Sequence, residues 1–261
     1  ENERGDRRVA AHHGLHVLRE HAVTLVLRSD RAGVATLMLN RPEKLNALTP
    51  AMVAELRTHL QGIAGSDTVG CLVLRGAGRS FCAGLDIGGV GQGSTPAERR
   101  AGAELVDLLE SIPQPSIAAI HGYCFTGGLE LALGCDLLVA TDSATLCDTH
   151  ARLGLVPVWG MSVRLPERVG KARAKRMLLT SERLDARTAV NVGLLDSCWP
   201  ETDFDAELDR LTEAICANSW GSNRHIKRLL HLTADERTLR LAFERTRPWG
   251  LPDDGAARRR G

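Results

Sequence analysis

Apolar residues along this chain fall either into short continuous runs or into longer stretches where they recur every three or four positions. The first kind predicts buried strands, the second amphipathic helices. Val23 to Leu27, Gly33 to Asn40, Val69 to Leu74, Ser116 to Ile120 and Asp136 to Ala140 are runs of the first kind. Two segments are of the second kind: one opens at Thr49-Pro50 and aligns Val53, Leu56, Leu60 and Ile63, and the other opens at Thr95-Pro96 and aligns Leu105, Leu108, Leu109 and Ile112. In both, Thr at the N-cap precedes Pro at the first helical position, where the missing N–H costs nothing. Pro113 and Pro115 stop the second helix, and Pro42 ends the strand before the first. This alternation predicts an α/β protein with a parallel sheet. From about residue 160 the chain turns helical, over 161–169 and 171–179 split at Gly170, then 185–192 ended by Gly193. After a short run at Leu195 to Trp199, further helical patterns follow over 201–218, 222–231 and 234–246. With no low-complexity linker between the two parts, one integrated domain is expected.

The stretch His121-Gly-Tyr-Cys-Phe-Thr-Gly-Gly-Leu-Glu-Leu-Ala-Leu-Gly-Cys-Asp136 gathers the most chemistry. It joins a buried strand to a glycine turn and then to a helix bearing one carboxylate. Gly127 and Gly128 have no Cβ, so a ligand can approach the backbone, and the first N–H groups of the helix point into the turn. Such donors suit an anion or oxyanion, and Glu130 in the first helical turn is positioned as a general base. Plain punctuation explains the same residues, since glycine pairs often precede helices and the dipole favours an early acid. A second glycine loop, Gly76 to Asp86, follows a strand, where α/β proteins carry chemistry. An irregular segment, Leu146 to Pro157, contains Asp148, His150 and Arg152.

Charge and composition remove several classes. In 261 residues Lys plus Arg nearly cancels Asp plus Glu, leaving a formal charge of +1, so no footprint for nucleic acid or anionic lipid is expected. Seven cysteines, an odd number without a CxxC pair, read as reduced and mostly buried thiols of a cytoplasmic protein. No apolar run approaches the roughly 20 residues of a membrane span. Residues 1 to about 20 are polar, and His12, His13 and His16 there read as part of a mobile extension rather than a metal site. Arg258 to Arg260 read as a solvated tail. No GxGxxG after a strand, GxxxxGK, HExxH or GxSxG occurs, which removes the best evidence for dinucleotide, nucleotide, zinc-protease or serine-hydrolase chemistry. What remains is a site of backbone donors with few titratable groups, suited to a neutral carbonyl that becomes an oxyanion.

Four segments in order carry a family resemblance. They are Leu39-Asn-Arg-Pro-Glu-Lys-Leu-Asn-Ala-Leu48, Gly76-Ala-Gly-Arg-Ser-Phe-Cys-Ala-Gly-Leu-Asp86, the stretch from His121 to Asp136, and Arg164-Leu-Pro-Glu-Arg-Val-Gly-Lys-Ala-Arg-Ala174. Together they resemble the crotonase, or enoyl-CoA hydratase/isomerase, family over about residues 23 to 200. The resemblance implies a spiral of ββα turns over 21–200, after the N-terminal extension at 1–20. It also implies a C-terminal helical region at 201–261 that assembles homotrimers, often as dimers of trimers. It implies an acyl-CoA thioester as substrate, with coenzyme A part of that substrate and neither a separate cofactor nor a metal. The backbone N–H groups of Leu85 and Gly127 would hold the thioester oxygen, while Lys44, Ala47, Ala83, Asp86, Ile87 and Gly128 would line the substrate groove.

Hydratases of this family use two glutamates. Glu130 matches the first; at the second this chain carries His150, within Asp148-Thr-His-Ala-Arg152, as does a bacterial subgroup named for enoyl-CoA hydration. The implied reaction is hydration of a trans-2-enoyl-CoA, as in fatty-acid metabolism, with Glu130 as base on water and His150 as its partner or acid. Asp148 is a lesser candidate, its side chain expected to point away. Isomerisation or other enolate chemistry with Glu130 alone, a non-catalytic acyl-CoA binder and an RNA-binding relative are the alternatives. Thr126, in place of a common turn glycine, and Trp159 are expected to reshape the acyl pocket.

Overall fold

Successive turns of this chain lay one strand in a large sheet and a second, shorter segment in another layer before a helix returns the chain. The computed structural model describes residues 24–86 and 95–231, together with 238, 241 and 245. In chain order the strands are β1 (Val26–Arg31), β2 (Val34–Leu39), β3 (Cys71–Gly76), β4 (Ser116–Ile120), β5 (Tyr123–Phe125), β6 (Leu137–Thr141), β7 (Thr145–Cys147), β8 (Leu184–Asp185) and β9 (Ser197–Trp199). The helices are α1 (Pro50–Ala64), α2 (Pro96–Ser111), α3 (Gly127–Leu133), α4 (Met161–Thr180), α5 (Ala186–Asn191), α6 (Phe204–Ala217) and α7 (Trp220–His231).

The large sheet runs β1-β2-β3-β4-β6-β9, parallel except for the β1–β2 hairpin at its edge. The small sheet runs β5-β7-β8. Single parallel bridges from Cys82 to Cys124 and from Leu48 to Leu85 carry its pairing back through the earlier turns. Helices α1 and α2 start as their sequences predict. Thr49 accepts a hydrogen bond from the Met52 N–H, and Thr95 with Glu98 closes a capping box. The central strands are apolar on both faces because both are covered. Leu72, Leu74, Ala118, Ile120, Leu138 and Ala140 pack with the buried residues of α1 and α2, while Cys71, Val73, Ile117, Ala119 and Val139 pack on Phe204 and Leu208 of α6.

Two sequence expectations are corrected here. The first strand is not Val23 to Leu27 but the polar run Val26–Arg31, whose residues after Val26 are exposed. As an edge strand it is held by its hairpin to β2 and needs no apolar face. Second, β5 and β7 fall in segments expected to be turn or irregular, and β8 takes in Asp185, expected to open a helix; they are two or three residues long, too short for a periodicity to register. The split at Gly170 is present, with φ 74° and ψ 156° inside α4. Residues 1 to 20 with their three histidines, the basic tail, and all but three positions of the 234–246 pattern lie outside the described residues. Among the described residues no helix is long and apolar enough to cross a membrane, and no group of three or more His, Cys, Asp or Glu stands together as a metal site.

Two buried cations tie helices to this frame. Lys227 of α7, 8% exposed, places Nζ 2.7 Å from Asp136 Oδ2 and donates to the Gln114 carbonyl at 3.0 Å. Arg164 of α4, 3% exposed, bonds Asp107 Oδ1 at 2.8 Å and Glu110 Oε2 at 2.7 Å, both on α2, and the Trp159 carbonyl at 2.7 Å. Burial alone would raise the Asp136 pKa, but hydrogen bonding from His231, the charge and hydrogen bond of Lys227 and the Ser116 hydroxyl together hold it below the usual value.

Removing either cation strands carboxylates that keep some contact with water, so the cost falls below the 3–5 kcal/mol of a fully buried pair. Arg164→Met is expected to lower unfolding free energy by about 2–3 kcal/mol in urea titrations, with Arg164→Lys recovering less than half because ammonium lacks the fork. For Lys227→Met the loss is about 2 kcal/mol at neutral pH. Because the folded Asp136 pKa is depressed, its contribution is complete above the unfolded carboxyl value of about 3.9 and fades as pH falls below it. The difference between wild type and Lys227→Met therefore narrows in melts below about pH 4.

Candidate active site

Four chain segments line up side by side where the helices begin. Leu48 N–H donates to the Gly84 carbonyl and Asp86 N–H to that of Leu48, which joins the 44–48 turn to the 82–86 loop. Cys82 N–H donates to Tyr123 O and Phe125 N–H to Cys82 O, which joins that loop to β5. Thr126 N–H donates to Cys147 O, which brings in the turn holding Asp148 and His150. The expected groove residues Ala47, Ala83, Asp86, Gly127 and Gly128 thus come together, with Lys44 exposed in the one-turn 3-10 helix Pro42–Lys44. Ile87 lies outside the described residues.

Two backbone nitrogens, Leu85 N and Gly127 N, lie close together across this row. An ideal Cβ on Gly127 would lie 3.4 Å from Leu85 N, and one on Gly84 would lie 3.3 Å from Gly127 N. Gly84 has φ +105°, which turns the Leu85 peptide and favours glycine. Among the described residues no hydrogen bond from either N–H is found within the chain. Helix α3, which Gly127 opens, has seven residues, so its dipole adds little and the two N–H groups themselves are the donors. Gly128 is explained by packing: its Cβ would sit 2.5 Å from the Cys82 carbonyl oxygen. Burial pushes the Cys82 thiol up to about 12, so at neutral pH it fills space as an uncharged group.

Thr126 is a cost of the site. Its φ of 50° and ψ of −112° form a conformation glycine adopts freely and other residues at about 1–3 kcal/mol. Its hydroxyl lies 2.6 Å from the Thr149 hydroxyl and accepts the Thr149 N–H, so the strained residue also fixes the turn carrying His150.

Beside the donors lies a buried row of titratable groups. Glu130 is 2% exposed, Asp148 1% and His150 8%. Glu130 Oε1 accepts from Trp159 N–H at 2.9 Å and Met161 N–H at 3.4 Å, and its Oε2 stands 3.9 Å from His150 Nε2. His150 Nδ1 is 2.5 Å from Asp148 Oδ1. The Asp148 contact at Nδ1 turns Nε2 toward Glu130. A separation of 3.9 Å is too long for a direct bond and suits one small oxygen bonded to both.

The sequence-predicted pair Glu130 and His150 therefore stands together, whereas the expectation that Asp148 points away is wrong: it points at the imidazole. Three further groups make contacts that the sequence did not announce. Arg41 donates to the Ala47 carbonyl and to Asp86 Oδ2 at 2.9 Å, so the Asp86 carboxylate is already paired. Trp159 reaches Glu130 through its backbone N–H, which no side-chain motif announces. Arg164 was visible as part of a family motif without a role; it fixes the other side of the Trp159 peptide.

The chain matches the family model described as enoyl-CoA hydratase/isomerase over residues 29–247. It is 36% identical to the 1,2-epoxyphenylacetyl-CoA isomerase of Escherichia coli over 70% of this chain and 72% of that one. With the mitochondrial enoyl-CoA hydratase of Pongo abelii it shares 35% identity over 74% and 67% of the two chains. The crystal structure of an enoyl-CoA hydratase/isomerase from Xanthobacter autotrophicus superposes with a TM-score of 0.82 at 28% identity, covering 90% of this chain and 91% of that one. The ββα spiral, its row of loops and these matches place the chain in the enoyl-CoA hydratase/isomerase, or crotonase, family.

Proposed function

We propose that this protein is an enoyl-CoA hydratase that adds water across the double bond of a trans-2-enoyl-CoA. The observation that carries the reading is the 3.9 Å gap between Glu130 Oε2 and His150 Nε2, next to the N–H pair of Leu85 and Gly127. In this reading the thioester oxygen accepts from both N–H groups, which polarises the conjugated double bond toward the carbonyl. A water between Glu130 and His150 gives a proton to Glu130 as its oxygen bonds to C3. The π electrons move to the thioester oxygen as an enolate held by the two donors, and the Glu130/His150 pair returns a proton to C2. No separate cofactor or metal enters. Lys44, Ala47, Ala83 and Gly128 are proposed to line the coenzyme A groove, with Asp86 held there by Arg41.

Glu130 is anchored on one oxygen by the Trp159 and Met161 N–H groups, which leaves the carboxylate one orientation toward His150. Asp148 is proposed to position His150 and hold its tautomer. A second reading, isomerisation with Glu130 as the sole proton shuttle, is favoured by the histidine at the position of the second glutamate and by the isomerase name of the Escherichia coli relative. The seven unpaired cysteines support a reducing compartment such as the cytoplasm. Ile226 and Leu230, exposed one turn apart on α7, support assembly as a homotrimer or dimer of trimers through the C-terminal helices.

With crotonyl-CoA, loss of the conjugated thioester absorbance is expected to slow by about 100-fold to 10,000-fold in Glu130→Gln. His150→Ala is expected to fall in the same range, and Asp148→Asn to lose rate at nearly unchanged KM because it presents the wrong tautomer. Full activity in His150→Ala would assign the histidine to the fold alone. In oxygen-labelled water the product is expected to carry solvent oxygen; an isomerised product without it would replace hydration by the second reading.

A further inference from the structure

Trp159 touches both groups that would fix an acyl chain in this site. Its N–H is bonded to the Glu130 carboxylate, and its indole edge lies 3.1 Å from where a Cβ of Gly127 would be. The other edge lies on α2, where a Cβ at Gly102 would come within 2.2–2.4 Å of Cε2, Cζ2 and Nε1. The indole thus reaches from the Gly127 turn to the second helix, and the residue is only 5% exposed. Gly102 sits in the interior of α2, where glycine is less favourable than alanine; alanine would collide with the ring.

The backbone that carries the ring is fixed as well. The Trp159 carbonyl accepts from Arg164 at 2.7 Å. The next residue, Gly160, has φ +107°, and a Cβ there would lie 1.9 Å from Arg164 Nη1. With N–H, carbonyl and following residue all held, the backbone from which the indole projects is fixed, and the ring itself is seated between Gly102 and Gly127.

The geometry points to Trp159 as the wall that ends the acyl pocket and restricts this enzyme to short-chain acyl-CoA thioesters, with Gly102 as the recess that receives the ring. This rests on the thioester site proposed above. A chain with its carbonyl at Gly127 has the indole beside it there, and with its third carbon at Glu130 it lies next to the Trp159 backbone, so in this proposal its continuation meets the ring. Trp159 and Gly102 form a matched pair: the helix has given up a side chain to seat the wall.

Binding of saturated thioesters tests this without any need for turnover. Butyryl-CoA and decanoyl-CoA would be titrated calorimetrically into the full chain as wild type, Trp159→Ala and Trp159→Leu, the last keeping enough apolar volume to preserve the fold if alanine does not. Wild type is expected to bind butyryl-CoA at least about tenfold more tightly than decanoyl-CoA, and the variants to shift that ratio toward the long chain by about tenfold or more. Equal or tighter decanoyl-CoA binding by wild type, or an unchanged ratio in a folded variant, would overturn the wall. A shifted ratio in a protein without hydration activity would uphold the wall and contradict the proposed reaction. Failure of folded wild type to bind either thioester would remove the thioester site and the wall together.

Discussion

A buried carboxylate has a use in chemistry only if something holds it in one orientation, and in this protein that task falls to the backbone of Trp159. Its N–H takes one oxygen of Glu130 and its carbonyl takes Arg164, whose guanidinium is anchored on Asp107 and Glu110 of α2. The backbone of one residue therefore couples the helix that bears the carboxylate, the helix that follows it and the helix that packs over the site. Met161 adds a longer second donor to the same oxygen. The other Glu130 oxygen is thereby turned toward His150, and the arrangement of the site follows from that orientation.

The fold was legible where the chain carries a local physical signal. Thr-Pro caps marked α1 and α2, both-faced burial marked the central strands, and Gly170 marked the break in α4. Elements held by pairing alone left no such trace. The polar strand Val26–Arg31 is fixed by its hairpin, and β5, β7 and β8 by neighbours far away in sequence. The candidate site divides in the same way. Glu130, Gly127 and the glycine loop before Leu85 could be found because local sequence and family motif coincide, and His150 because it stands at a motif position. Asp148 was misjudged because alternation along an extended segment does not hold through a tight turn. Trp159 and Arg41 act by backbone contact or by a partner 45 residues away, which no local pattern reveals.

The His150–Asp148 pair stands opposite Glu130 on a frame that fixes both turns. The hydroxyl contact between Thr126 and Thr149 bridges the turn before Glu130 and the turn before His150, at the cost of a strained Thr126 backbone. The strain is held by cross-links that also fix the distance between the two side chains.

The most direct test of the account is a crystal structure of the full chain with butyryl-CoA, read at the thioester. The account predicts the thioester oxygen about 2.7–3.1 Å from both Leu85 N and Gly127 N, with the third acyl carbon against the Glu130–His150 gap. A thioester oxygen bonded elsewhere, or an acyl chain directed away from Glu130, would contradict it.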